Sequence, residues 1–204
     1  MASGVFIVLE GGEGSGKSTQ SARLAARLRG AGRSVVTTFE PGATERGRAL
    51  RAALLDDHRP LDPRAELLLM NADRAQHVAE VVRPGLAAGS VVICDRHSPS
   101  SIVYQGVARG LGADLVASVC AIATDGLVPD AVIVLDVADG VAAARRSASP
   151  DRIELAGDDF HERVRAAYRD LAPRHGWIVV DGNGDVDDVA KRVWDSLADL
   201  IASR

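Results

Sequence analysis

Five short runs of consecutive apolar residues recur along the chain, at 5–9, 34–39, 91–94, 131–135 and 177–180. None alternates apolar with polar positions, and nearly continuous runs of this length suit parallel strands buried on both faces. Between them the apolar positions take a helical spacing. That spacing predicts helices over about 17–31, 44–56, 62–84, 98–108, 112–125, 138–147, 156–172 and 186–202. Strand–helix alternation implies right-handed crossovers, hence an α/β fold with a five-stranded parallel sheet flanked by helices. Neither an internal repeat nor a linker interrupts the pattern, so residues 1–204 are expected to form a single domain. The stretch Ser-Ala-Ser-Pro-Asp at 147–151 predicts a loop, too short to separate domains.

Composition narrows the class. With 47% hydrophobic and 25% charged residues, the chain has the apolar material for a real core and no signature of disorder. Cys94 and Cys120 both lie in apolar stretches and make no disulfide framework, which points to a reducing compartment and a cytoplasmic protein. The N-terminal apolar run is short and lacks a basic flank, unlike a signal peptide, and no run is long enough to span a membrane. A net charge of −4 gives no basic field to attract nucleic acid. Lys17 and Lys191 are the two lysines among 24 basic residues, the rest being arginine. Where arginine so dominates, a retained lysine is a candidate for a chemical requirement.

Lys17 sits in Gly11-Gly12-Glu13-Gly14-Ser15-Gly16-Lys17-Ser18, a complete G-x-x-x-x-G-K-[ST] between a strand and a helix. Glycines let successive amides turn inward around a phosphate, and the helix N-terminus adds positive potential. Gly11, Gly12, Gly14, Ser15, Gly16, Lys17, Ser18 and Thr19 are therefore expected to hold the phosphates of ATP, with the Ser18 hydroxyl on Mg²⁺. This is the phosphate loop of a P-loop NTPase fold, and it leaves ATPase, GTPase and phosphotransferase open. Absence of an Asn-Lys-x-Asp sequence disfavours GTPase. Glu13 is an oddity inside an anion cradle, so its carboxylate is expected to face a sugar hydroxyl or a hydrated cation. Three strand ends carry polar or glycine-rich sequence: after Leu9, after Phe39 and after Cys94. In an open parallel sheet they should converge on one crevice.

Taken in order, EGGEGSGKST, EPGAT, Asp95-Arg96-His97, Tyr104-Gln105-Gly106, Leu135-Asp136-Val137 and Asp151-Arg152-Ile153-Glu154 resemble the thymidylate kinases, over about residues 5–200. The chain is similar to the bacterial subtype, in which a short lid, here about 145–157, supplies arginines. The resemblance implies transfer of a phosphoryl group from ATP·Mg²⁺ to dTMP. It assigns Asp95 and Arg96 to Mg²⁺ and the ligands' phosphates, Glu13 to the deoxyribose 3′-OH, and Arg74 to the pyrimidine O4. It further assigns Tyr104 to deoxyribose selection, Arg145, Arg146 and Arg152 to the transferring group and adenine, and Glu154 to the acceptor's surroundings. Gln105 is placed at the acceptor without a firm role. A homodimer is implied too, with the helices near 62–84 and 98–125 as candidate faces.

Three positions depart from the family at the acceptor side. Met70 stands where a phenylalanine usually stacks on thymine, and Ser101 where threonine or asparagine meets the base N3 edge. Phe39 occupies the place of an arginine that grips the monophosphate, with Arg46 and Arg48 the candidates to replace it. Besides a dTMP kinase, these departures leave open a kinase for a modified pyrimidine nucleotide, a nucleotide-binding protein with vestigial transfer, and a sugar or shikimate kinase of similar topology.

Overall fold

The computed structural model describes residues 4–56, 59–145 and 151–202. Five parallel strands form one sheet in the order β2-β3-β1-β4-β5: β1 (Val5–Glu10), β2 (Val35–Phe39), β3 (Val91–Asp95), β4 (Ala131–Asp136) and β5 (Ile178–Asp181). Leu9 pairs with Asp95 across β1 and β3, and Phe39 with Asp95 across β2 and β3, so these three strands end level. From β1 the chain leaves toward β2, and from β3 it crosses to β4 on the other side. The crevice between β1 and β3 is therefore the switch point where a ligand is expected.

Alternate residues of β1 feed two cores. Val5, Ile7 and Leu9 pack with Leu24 and Leu28 of α1 (Lys17–Gly30) and with Val189 and Val193, on one face. Phe6 and Val8 pack on the other face, with Leu67, Val103, Val116 and Tyr168. Double-sided burial of β1, β3 and β4 is what their unbroken apolar runs require. The edge strands differ: β2 and β5 are partly exposed, because each has a neighbour on one side only.

Each predicted helix is found, some of them divided. The 44–56 stretch is α2 (Glu45–Arg51) followed by a wide π-type turn at Ala52–Asp56. The 62–84 stretch is α3 (Pro63–His77), a π-type turn at Val78–Val82, and α4 (Arg83–Ala87). Pro84 lacks an N–H, and the altered turn before it accommodates the missing bond. Ser98–Ser101 forms a short α5 running into a third wide turn, Ile102–Ala108, and α6 (Ala113–Thr124) follows. After β4 come α7 (Asp139–Ala144), α8 (Asp158–His175), α9 (Val186–Ser196) and α10 (Ala198–Ala202). Much of the predicted loop at 147–151 and Arg146 lie outside the described residues. Among the described residues, no helix is long and apolar enough to cross a membrane.

Candidate active site

The loop after β1 wraps into α1 without a side-chain cap. Gly16, at φ 93°, is the N-cap and supplies no acceptor, so the first N–H groups of α1 stay open toward the crevice. Gly14 allows a close approach as well: a Cβ there would lie 2.4 Å from the Ala142 carbonyl oxygen, so α7 rests directly on the loop. Lys17 is buried, its Nζ donating to the carbonyls of Gly11 (3.2 Å) and Gly12 (2.9 Å) and to Ser15 Oγ (3.4 Å). Burial pushes its pKa down, and the nearby Arg96 adds to that, against the pull of Glu13 and Asp95. Ser18 Oγ donates to Asp95 Oδ2 at 2.6 Å. This pair of oxygen donors at the loop's mouth suits Mg²⁺, a hard cation that takes oxygen ligands.

Two cavities meet here. The larger, of about 910 Å³, is lined by Gly14, Gly16, Lys17, Ser18, Thr19, Asp95 and Arg145, among others. The smaller, of about 170 Å³, contains Met70, Arg74, Ser101, Tyr104, Gln105 and Glu154. Glu13, Glu40, Arg51 and Arg96 line both.

Arg96 is the hinge of this junction. Its φ of 69° is unusual for a residue with a side chain and costs about 1–3 kcal/mol. The turn is held by Arg96 N donating to Leu9 O (2.9 Å), and His97 N to Glu10 Oε1 (2.8 Å). So bent, the guanidinium returns over the phosphate loop. It donates to Gly11 O and Ser100 Oγ, both at 3.2 Å, pairs with Glu13, and lies 5.1 Å from the Tyr104 ring centre. Burial alone would raise the Glu13 pKa, but Arg96 and then Lys17 overcome it and bring it to about 2. Glu13 is thus ionised at neutral pH, and it also accepts from Tyr104 OH at 3.2 Å.

Arg74, on α3, is 2% exposed. Its Nε pairs with Glu40 Oε2 at 2.9 Å, while Nη1 donates to Asn71 Oδ1 and Ser101 Oγ and Nη2 to His97 O. Glu40 is in turn met by His77 Nδ1 and His97 Nδ1, each 2.8 Å from Oε1. Burial would raise the Glu40 pKa, but His97 and Arg74 outweigh it and hold the carboxyl well below its ordinary range. Glu154 behaves oppositely: burial raises its pKa, and its Oε2 accepts from Asp151 N at 3.1 Å.

Most sequence-expected residues therefore gather around the two cavities; Gly11, Gly12 and Ser15 of the loop line neither, and Phe39 and Arg152 do not follow the expectation. Phe39 is 46% exposed and lines the larger cavity and not the smaller one. Arg152, expected at the transferring group, lines neither cavity and pairs with Glu66 at 2.8 Å instead. The arginine absent at position 39 is not replaced by Arg46 or Arg48, which are exposed and line neither cavity. Arg51 stands at the junction, its Nη1 donating to Pro41 O at 2.8 Å. The signal for it was helical spacing. Thr44, Gly47 and Arg51 share one face of α2: Thr44 caps the helix, and Gly47 is packed so closely that a Cβ would lie 2.4 Å from Asp73 Oδ1. Glu40 was also missed, because its role depends on partners far along the chain.

A family model for thymidylate kinase matches residues 9–193. A thymidylate kinase of Solidesulfovibrio magneticus is 46% identical over 97% of this chain and 100% of its own length. One from Deinococcus radiodurans is 44% identical over 98% of each. Among solved structures, a thymidylate kinase from Ehrlichia chaffeensis superposes with a TM-score of 0.79 at 30% identity, covering 96% of this chain and 99% of that one. With the phosphate loop and the Asp95–Arg96 turn at the ends of adjacent inner strands and these matches covering nearly the whole chain, this chain belongs to the thymidylate kinase family.

Proposed function

We propose that the protein transfers the γ-phosphoryl group of ATP to dTMP, giving ADP and dTDP. The observation that carries this reading is the shared wall. Arg51, Arg96, Glu13 and Glu40 face both a phosphate-loop cavity and a smaller second cavity, so donor and acceptor phosphates meet between two fixed guanidiniums. An acceptor phosphate oxygen is already anionic, so attack on the γ-phosphorus needs no general base as the β–γ bridging P–O bond breaks. Catalysis is then mainly positioning and charge neutralisation.

In this reading Lys17 and the open amides of α1 hold the donor's β- and γ-phosphates, and Arg145 approaches from α7. Ser18 and Asp95 hold Mg²⁺, which would neutralise charge between the donor's phosphates. On the acceptor side Arg74 faces the base, Met70 and Ser101 flank it, Gln105 and Glu154 close the cavity, and Tyr104 with Glu13 bounds the sugar. Glu13, ionised and paired with Arg96, serves as an acceptor for a sugar hydroxyl rather than as an acid. Arg74 lies within a satisfied network (Glu40, Asn71, Ser101), which favours a pre-organised base site over a vestigial one.

Leu68 of α3 and Leu115 and Ile122 of α6 are exposed, Ile122 by 82%, on helices that pack against each other. We assign this face to a homodimer. The buried free thiols Cys94 and Cys120 fit a reducing compartment such as the cytoplasm. A coupled ADP-release assay over dTMP, dUMP, dCMP, UMP, CMP and 5-substituted pyrimidine monophosphates tests the substrate. Strict dependence on a monophosphate with dTMP preferred is the expected result. Preference for another pyrimidine would replace dTMP, and ADP release independent of any acceptor would remove kinase activity.

A further inference from the structure

Glu66 belongs to neither cavity, yet it is the buried point to which much of the smaller one is tied. On α3 its side chain is 1% exposed and is met from two other segments. Gln105 Nε2 donates to Oε1 at 2.8 Å and Arg109 brings Nε and Nη2 to 3.4 and 3.3 Å, while Arg152 Nη2 forms an ion pair with Oε2 at 2.8 Å without hydrogen-bond alignment. Arg152 also donates from Nε to Leu54 O (2.8 Å) and from its backbone N to Leu55 O (3.2 Å), carbonyls within the Ala52–Asp56 turn. The residues on either side of Arg152, Asp151 and Ile153, line the smaller cavity, as do Glu154, Leu55 and Gln105. One carboxylate therefore connects three stretches of chain that all contribute to the same wall.

We propose that Glu66 is a positioning residue for the acceptor, clasping Arg152 and Gln105 so that 151–154 and Leu55 are held against α3. Arg152 is the strut of that wall and does not contact the transferring group. This inference rests on reading the smaller cavity as the dTMP site. A carboxylate removed from water is costly unless opposite charge stays beside it, so the ion pair with Glu66 and the bonds from Arg152 to Leu54 O and Leu55 O together hold 151–154 in place. The link extends to the sugar side: the Arg109 guanidinium lies 4.5 Å from the Phe160 ring centre, and Phe160 meets the Tyr104 ring edge-on at 6.0 Å.

Steady-state kinetics of Glu66→Gln, Arg152→Met and the double variant test the clasp, with thermal unfolding recorded for each. Wild-type dTDP formation is measured first, so that a wrong substrate assignment shows in the wild type and a wrong clasp only in the variants. Each single variant is expected to raise the KM for dTMP by roughly tenfold, with kcat and the KM for ATP within about twofold. The double variant should be no worse than either single one, because both cut the same link. A hundredfold fall in kcat for Arg152→Met at unchanged dTMP KM would put Arg152 on the phosphoryl group and overturn the proposal. A lowered Tm at unchanged dTMP KM, or additive effects in the double variant, would overturn it too. If Glu66→Gln fails to fold, Arg152→Met decides on the same readouts, since Glu66 keeps Arg109 and Gln105.

Discussion

The donor and acceptor halves of the site are built in different ways. The half proposed for the donor is almost one continuous peptide, Gly14 to Thr19, closed by Asp95, and what it offers a phosphate is largely backbone amides presented by a strand–loop–helix turn. The half proposed for the acceptor is assembled from side chains of at least five separate segments, with Glu40 and Arg74 in its wall and the buried His97 bonded to Glu40 behind them. A backbone cradle depends on local conformation, so a short motif specifies it. A side-chain pocket depends on long-range packing, so no short motif does.

The largest effect should come from removing the lysine of the phosphate loop. Lys17→Ala is expected to lower kcat about a thousandfold with circular dichroism and Tm close to wild type, because Nζ binds only the loop's own oxygens. Activity near wild type would dissolve the distinction between the halves. Next, Arg51→Ala should raise the KM for dTMP by about a hundredfold, roughly 2.8 kcal/mol, since a guanidinium at the junction is lost. If the KM for ATP rises equally, Arg51 belongs to the donor half.

Glu13→Gln is expected to raise the dTMP KM about tenfold. The group also has a pH signature. Its folded pKa of about 2 lies below the ordinary 4.5, so its stabilisation, at most about 3 kcal/mol, is full above 4.5 and is lost as pH falls through about 2. Urea unfolding should show the gap between wild type and Glu13→Gln shrinking as pH drops over that range. The acid limb of the activity profile between about pH 5 and 8 should be unchanged by the substitution. The smallest effect belongs to Arg48→Ala: both KM values should stay within about twofold, in contrast with Arg51 three residues on.

Much of this architecture was legible in advance. Five strands, the helices between them and the convergence of three strand ends all followed from apolar runs and polar strand exits, because parallel βαβ geometry leaves few alternatives. Divided helices were not legible: the wide turns after Arg51, His77 and Ser101 leave the apolar spacing helical, so the hydrophobic pattern does not mark them. The residues that the resemblance places at the acceptor, Met70, Arg74, Ser101, Tyr104 and Gln105, line one cavity together, while Phe39 and Arg152 lie elsewhere. Both depend on which way a side chain leaves its segment. A partly exposed edge strand turns Phe39 toward the larger cavity, and a buried acid on α3 draws Arg152 away.

What the amino-acid order determined by itself is the scaffold and the phosphate cradle, since periodicity and glycine placement act over a few residues. What only the tertiary structure decided is the set of charges in and behind the wall of the smaller cavity. Arg51, Glu40 and the Glu66 clasp acquire their meaning from partners between 10 and 86 positions away, and burial makes those pairings strong enough to choose one arrangement.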